Sequence, residues 1–211
     1  IQVRLDELMH AQATLPDIRL KAGPNGGPIP SRDQDGYGYC WCHSSVSAML
    51  LKRAAQNEPY VDLSAFAIGC IVKNYRNQGG WGSQSMEFLA ERGCPTSEFW
   101  PQQSTKRSND NPATWENAKL HQALRWYDLD DDRMWLQQAS CMARNWPTVN
   151  DYNWWSHSVC GARMKDYKAR VLTIWNSWSD SWKDQGMGDL EGGRAVCSDC
   201  WALVTGEPSP A

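Results

Sequence analysis

Apolar residues recur at helical spacing in the first half of this chain and in short uninterrupted runs in the second. Trp41 to Ala55 contains no glycine or proline and sets Val46, Met49 and Leu50 on one side, which predicts a helix. Ser64 can cap a second helix through Phe66, Ile68 and Val72. Ser83 can cap a third through Met86, Phe88 and Leu89, stopped by Gly93 and Pro95. Ahead of these, residues 1–14 place Ile1, Leu5, Leu8 and Met9 at near-helical spacing, and residues 22–36 read as a glycine- and proline-rich loop. Residues 102–117 are polar and predict a long surface loop that joins two lobes. Beyond it, Leu124 to Leu129 reads as a strand, and Asp130 to Asp132 can cap a helix through Met134, Leu136 and Met142. Apolar runs at Pro147 to Val149, His157 to Met164 and Arg170 to Trp175 predict further strands.

The pattern therefore divides into a helix and loop over 1–33, a helical lobe over 34–120, a β-rich lobe over 121–205 and a flexible tail over 206–211. That is an α+β chain of 211 residues, long enough for one medium domain or two lobes sharing a cleft. The formal net charge is −3, and lysines and arginines form no run, which argues against nucleic acid and anionic membrane as partners. No apolar stretch approaches the length of a membrane span. No signal peptide is visible, and because the chain begins with Ile1 rather than methionine this says little about a precursor. Thirteen tryptophans predict a core of large rings and aromatic cleft walls, with a carbohydrate platform as the alternative.

Candidate chemistry begins at Gln34-Asp35-Gly36-Tyr37-Gly38-Tyr39-Cys40-Trp41. A thiol at the start of a helix is a candidate nucleophile, because the helix N-terminus favours the thiolate. A glutamine amide upstream can donate to an oxyanion. His157 and Asn176 follow in Trp155-Ser156-His157-Ser158 and Trp175-Asn176-Ser177-Trp178.

Cysteine, histidine and asparagine in this order, with a glutamine ahead, resemble the papain-like cysteine proteases. Other landmarks extend the likeness over residues 34–200: Leu63-Ser64 leading to Cys70, Gly79-Gly80-Trp81, Glu91-Arg92-Gly93-Cys94, Phe99-Trp100-Pro101, and Asn176-Ser177-Trp178 with Trp182. The resemblance implies a two-lobe fold with the active-site cleft between a helical and a β-rich lobe. It implies Cys40 as nucleophile, His157 as its base and acid, Asn176 as the residue that orients His157, and Gln34 with the Cys40 N–H as oxyanion hole. Gly79, Gly80, Trp81 and Trp178 would flank a protein or peptide substrate, with Trp178 also covering the His157–Asn176 contact. No cofactor is implied. Two alternatives stand beside hydrolysis: a papain-fold binding or structural protein with little turnover, and a thiol acyltransferase.

The chain departs from the family pattern at several points. Tyr37 stands where the family has a half-cystine, so Cys70 loses the partner that the resemblance implies. Asp35, Ser179 and Lys183 stand at glycine positions, and Tyr39 at a small-residue position, where two tyrosines would narrow the cleft. The interval from Cys40 to His157 is shorter than the family's, the missing length falling between Pro147 and His157. Cys42 and His43 read as packing residues, and His10 and His121 as surface residues. Cys197-x-x-Cys200 has no second pair at zinc-binding spacing. It reads as free thiols or half of a disulfide, with Cys141 and Cys160 as possible partners, and its redox compartment stays open.

Overall fold

The computed structural model describes residues 14–129 and 132–205. The expected helix within 1–14, His10 and the tail over 206–211 fall almost wholly outside them. A short helix α1 (Leu15–Arg19) leads to the long helix α2 (Cys40–Ala55). Helices α3 (Ala65–Val72), α4 (Gly82–Glu91) and α5 (Pro112–Lys119) follow, then strand β1 (Ala123–Asp128) and helix α6 (Met134–Met142). The chain ends in β2 (Thr148–Tyr152), β3 (His157–Asp166), β4 (Val171–Trp175), β5 (Met187–Glu191) and β6 (Asp199–Thr205). The strands form one antiparallel sheet in the order β1-β6-β2-β3-β4-β5.

Helix α2 is buried all round from Trp41 to Leu51, rather than on the one side its apolar spacing suggested. Each fully buried Val, Leu or Met there contributes roughly 1.5–3 kcal/mol. Small polar residues make this possible by satisfying themselves internally: Ser45 Oγ donates to the Trp41 carbonyl at 3.0 Å. Ser44 Oγ lies 2.7 Å from Ser158 Oγ and so ties α2 to β3. On the other side Arg19 of α1, fully buried, pairs with Asp180 at 3.2 Å and lies over the Trp175 ring.

Several local expectations need correction. Ser64 occupies the N-cap of α3, but its hydroxyl makes no capping bond and is buried without a partner. Ser83 lies inside α4, whose cap is Trp81; Gln84 Oε1 accepts the Trp81 N–H at 3.2 Å. Arg133, not Asp132, stands at the N-cap of α6, and no side chain caps the helix there. Residues 102–117 are not one loop. Asn111 Oδ1 accepts the Thr114 N–H and Pro112 opens α5, which sets Trp115 between Phe88 and Trp100. Asparagine before proline was the helix-start signal there. Strands β5 and β6 were not foreseen, although β6 sits inside the sheet between β1 and β2. His121 is buried rather than on the surface, and burial lowers its pKa to about 4.

Candidate active site

Cys40 is the first residue of α2 and is partly exposed, whereas Cys42 two residues on is fully buried. The turn before it is tightly stitched. Tyr37 N–H donates to the Gln34 carbonyl at 3.0 Å, and Gly38 N–H to Asn77 Oδ1 at 2.6 Å. A Cβ on Gly38 would stand 3.0 Å from the Gly79 nitrogen, so a larger residue here would press on the backbone of the cleft wall.

Gln34 joins this turn to the Asn176-Ser177-Trp178 segment. Its backbone N–H donates to the Ser177 carbonyl at 3.0 Å, and its Oε1 accepts from Ser177 Oγ at 2.7 Å. Its Nε2 donates to the Tyr37 carbonyl at 2.7 Å, which occupies one of the two amide hydrogens and leaves the other.

His157 opens β3 directly opposite Tyr152 of β2. The two strands are joined by residues 153–156 alone, so the stretch from Pro147 to His157, where length is missing, is a tight hairpin. Nε2 of His157 lies 2.7 Å from Asn176 Oδ1. Trp178 stacks on the imidazole at 4.8 Å between centroids, and Trp155 meets it edge-on at the same distance.

Cys40, His157, Gly79, Gly80, Trp81 and Asp151 line one cleft of about 240 Å³. Gln34 and Trp178 are not among its lining residues. Gly80 packs so closely on Trp41 that a Cβ would meet the ring at 2.5 Å, whereas Gly79 faces open space. Asp151, on β2, is the cleft group that the sequence reading missed. The apolar run ends at Val149, but the strand continues through Asn150 and Asp151 to Tyr152.

The electrostatics correct one expectation. Burial pushes the Cys40 thiol up, and the Asp151 charge adds to this, against opposing backbone hydrogen bonds from Ser158 and Trp41. Burial likewise holds the His157 imidazole below its ordinary value, against the bond to Asn176. Both shifts run toward the uncharged forms, opposing the pull of the helix terminus toward the thiolate. His43 is buried with both ring nitrogens unpartnered, edge-on to Phe66, and burial lowers its pKa to about 3. Among the described residues no group of three or more His, Cys, Asp or Glu could hold a metal ion.

No protein-family model matches the chain. Zingipain-2 of Zingiber officinale is 29% identical over 75 residues, which are 35% of this chain and 34% of that protein. The chain thus spans about a third of that relative. Zingipain-1 of the same plant is 21% identical over 182 residues, 76% of this chain and 81% of that protein. The structure of xylellain, a cysteine protease from Xylella fastidiosa, superposes with a TM-score of 0.69 at 16% identity, over 88% of this chain and 85% of that one. The fold is that of the papain-like cysteine proteases.

Within that papain-like fold the departures have physical readings. At the three positions that lack the family's glycine, the backbone keeps the left-handed conformation: φ is +47° at Asp35, +65° at Ser179 and +46° at Lys183. Tyr39 does not narrow the cleft. It is fully buried, it donates to the Arg76 carbonyl at 3.0 Å, and its ring fills the space beside Gly69, where a Cβ would stand 2.5 Å away. Tyr37, Tyr39 and Phe66 form a mutual ring cluster with centroids 5.2–5.5 Å apart. All eight cysteines are free thiols, Cys70, Cys197 and Cys200 included.

Proposed function

We propose that this protein hydrolyses peptide bonds through Cys40. The observation that carries the reading is the cleft itself: a thiol on the first turn of α2 shares it with His157, whose far nitrogen is held 2.7 Å from Asn176 Oδ1.

With Nε2 engaged by Asn176, Nδ1 of His157 is the nitrogen free to take the Cys40 proton. The sulfur attacks the substrate carbonyl carbon as that proton moves, so the ion pair forms only when it is needed. The resulting oxyanion is held by the Cys40 N–H and the spare amide hydrogen of Gln34. Imidazolium returns the proton to the departing amine, and the C–N bond breaks to leave a thioester. Water, deprotonated by the same imidazole, then releases the acid and restores the thiol. Gly79, without a side chain and facing open space, leaves room for a substrate backbone in the cleft. Trp178, stacked on the imidazole, shields its hydrogen bond to Asn176 from water.

The test is incubation with the epoxide inhibitor E-64 and peptide mapping, alongside turnover of an internally quenched peptide library. A single adduct on Cys40 with loss of turnover is expected. Turnover that survives in Cys40→Ala, or an adduct carried by another cysteine, overturns the reading.

A further inference from the structure

We propose that Asp151 and Trp81 form a subsite for a cationic side chain, arginine or lysine, of the peptide substrate. This rests on the peptidase reading and adds to it a substrate class.

Asp151 stands on β2 in the same cleft as Cys40 and is only 6% exposed. One carboxylate oxygen, Oδ2, accepts the Gly82 N–H at 3.0 Å. The other, Oδ1, is buried and has no partner at full hydrogen-bond geometry, with the Ser158 hydroxyl as the one neutral group that eases the charge beside the Gly82 N–H. Among the described residues no lysine or arginine forms an ion pair with it. The charge it does feel is a like one, Asp199 on the neighbouring strand β6. A buried carboxylate is ordinarily paired or fully hydrogen-bonded, because its desolvation is otherwise uncompensated. Here burial raises its pKa to about 6, so the group is an anion at neutral pH that lacks a countercharge.

Trp81 immediately precedes the Gly82 that holds Asp151, lines the same cleft and is 57% exposed. An indole face beside a lone carboxylate complements a cation on a long apolar stem. The stem lies on the ring, the ring quadrupole attracts the charge, and the carboxylate fixes it. Burial shifts Cys40 and His157 toward their uncharged forms, which leaves Asp151 as the main source of charge among the residues lining the cleft.

The experiment uses alanine-based peptides in which one position at a time carries arginine or its neutral isostere citrulline. For the wild-type protein at pH 7.5, kcat/KM at one position should favour arginine by about tenfold or more. That ratio should fall toward one below pH 6, as Asp151 gains its proton. Cys40 and Asp199 also face this group, and the same pH series on Asp151→Asn separates their effect on the ratio from that of the carboxylate. Asp151→Asn should bring the ratio near one at pH 7.5, and Trp81→Ala should lower it without disturbing the core. Anisotropy with labelled peptides and Cys40→Ala measures the same preference without turnover. Binding that favours arginine while the wild type cleaves nothing retains the subsite and removes the peptidase reading. Cleavage with equal rates for arginine and citrulline at every position removes the subsite and retains the peptidase. An Asp151→Asn protein that slows both peptides equally makes the carboxylate a structural partner of Gly82 and overturns the proposal.

Discussion

Asn176 Oδ1 accepts from two donors at once: the Ser177 N–H at 2.8 Å and His157 Nε2 at 2.7 Å. An amide flip would set its NH2 group against the Ser177 N–H, so the oxygen belongs where it stands. The proton of neutral His157 is therefore on Nε2, and Nδ1 carries the lone pair. Asn176→Ala frees the ring to rotate and to change tautomer. Turnover should fall on the order of 100-fold, the scale of a misplaced catalytic group. Alkylation of Cys40 should persist. Turnover equal to that of the wild type would remove the orienting role.

Gln34→Ala should lower kcat on the order of 100-fold and leave the Michaelis constant nearly unchanged. The donor matters most once charge has developed on the carbonyl oxygen. Ser177→Ala removes only the brace on Gln34 Oε1 and should cost less. Steady-state kinetics on one peptide check both, and a rise in the Michaelis constant at constant kcat would put Gln34 in substrate binding instead.

His43 makes stability depend on pH. Its folded pKa, about 3, lies below its unfolded value, so unfolding takes up a proton between roughly pH 3 and 6.5. Stability is full above pH 6.5 and falls as pH drops, by up to about 1.4 kcal/mol per unit. His121 acts in the same sense. Asp151, raised to about 6, acts in the opposite sense between about pH 4 and 6. His43→Leu should flatten the slope measured by urea unfolding at several pH values. It should not destabilise at pH 7, because both ring nitrogens lack partners. Equal slopes in the two proteins would mean that His43 is charged in the fold.

Asp35→Gly should stabilise the protein by about 0.5–1 kcal/mol, since left-handed strain exceeds the extra entropy of glycine. Asp35 is exposed, and its backbone N–H donates to Asp33 Oδ1, a bond that glycine keeps. Thermal unfolding checks it, and a lowered midpoint would show that the Asp35 side chain holds the turn.

The long central helix, the strand at β1 and the starts of β2, β3 and β4 were legible because spacing and apolar runs are local signals. The short helix α5 was hidden by its polar sequence, whose only signal is Asn111-Pro112. Strand β6 was hidden by its remoteness, because its place in the sheet depends on β1 and β2 on either side. At the cleft, Cys40 and His157 were legible from motifs. Asp151 was not, since a carboxylate within a strand becomes a cleft group only through pairing with β3. The direction of the Cys40 shift was misread for a related reason. A helix terminus is visible in sequence, whereas burial is a property of the assembled molecule.

The Tyr37–Tyr39–Phe66 cluster separates redox chemistry from architecture. Ring packing, unlike a cystine, is indifferent to electrons. A thiol reductant strong enough to rescue an oxidised Cys40 thus has no scaffold bond to cut near it. Protein recovered by dithiothreitol after peroxide should melt at the temperature of protein never oxidised.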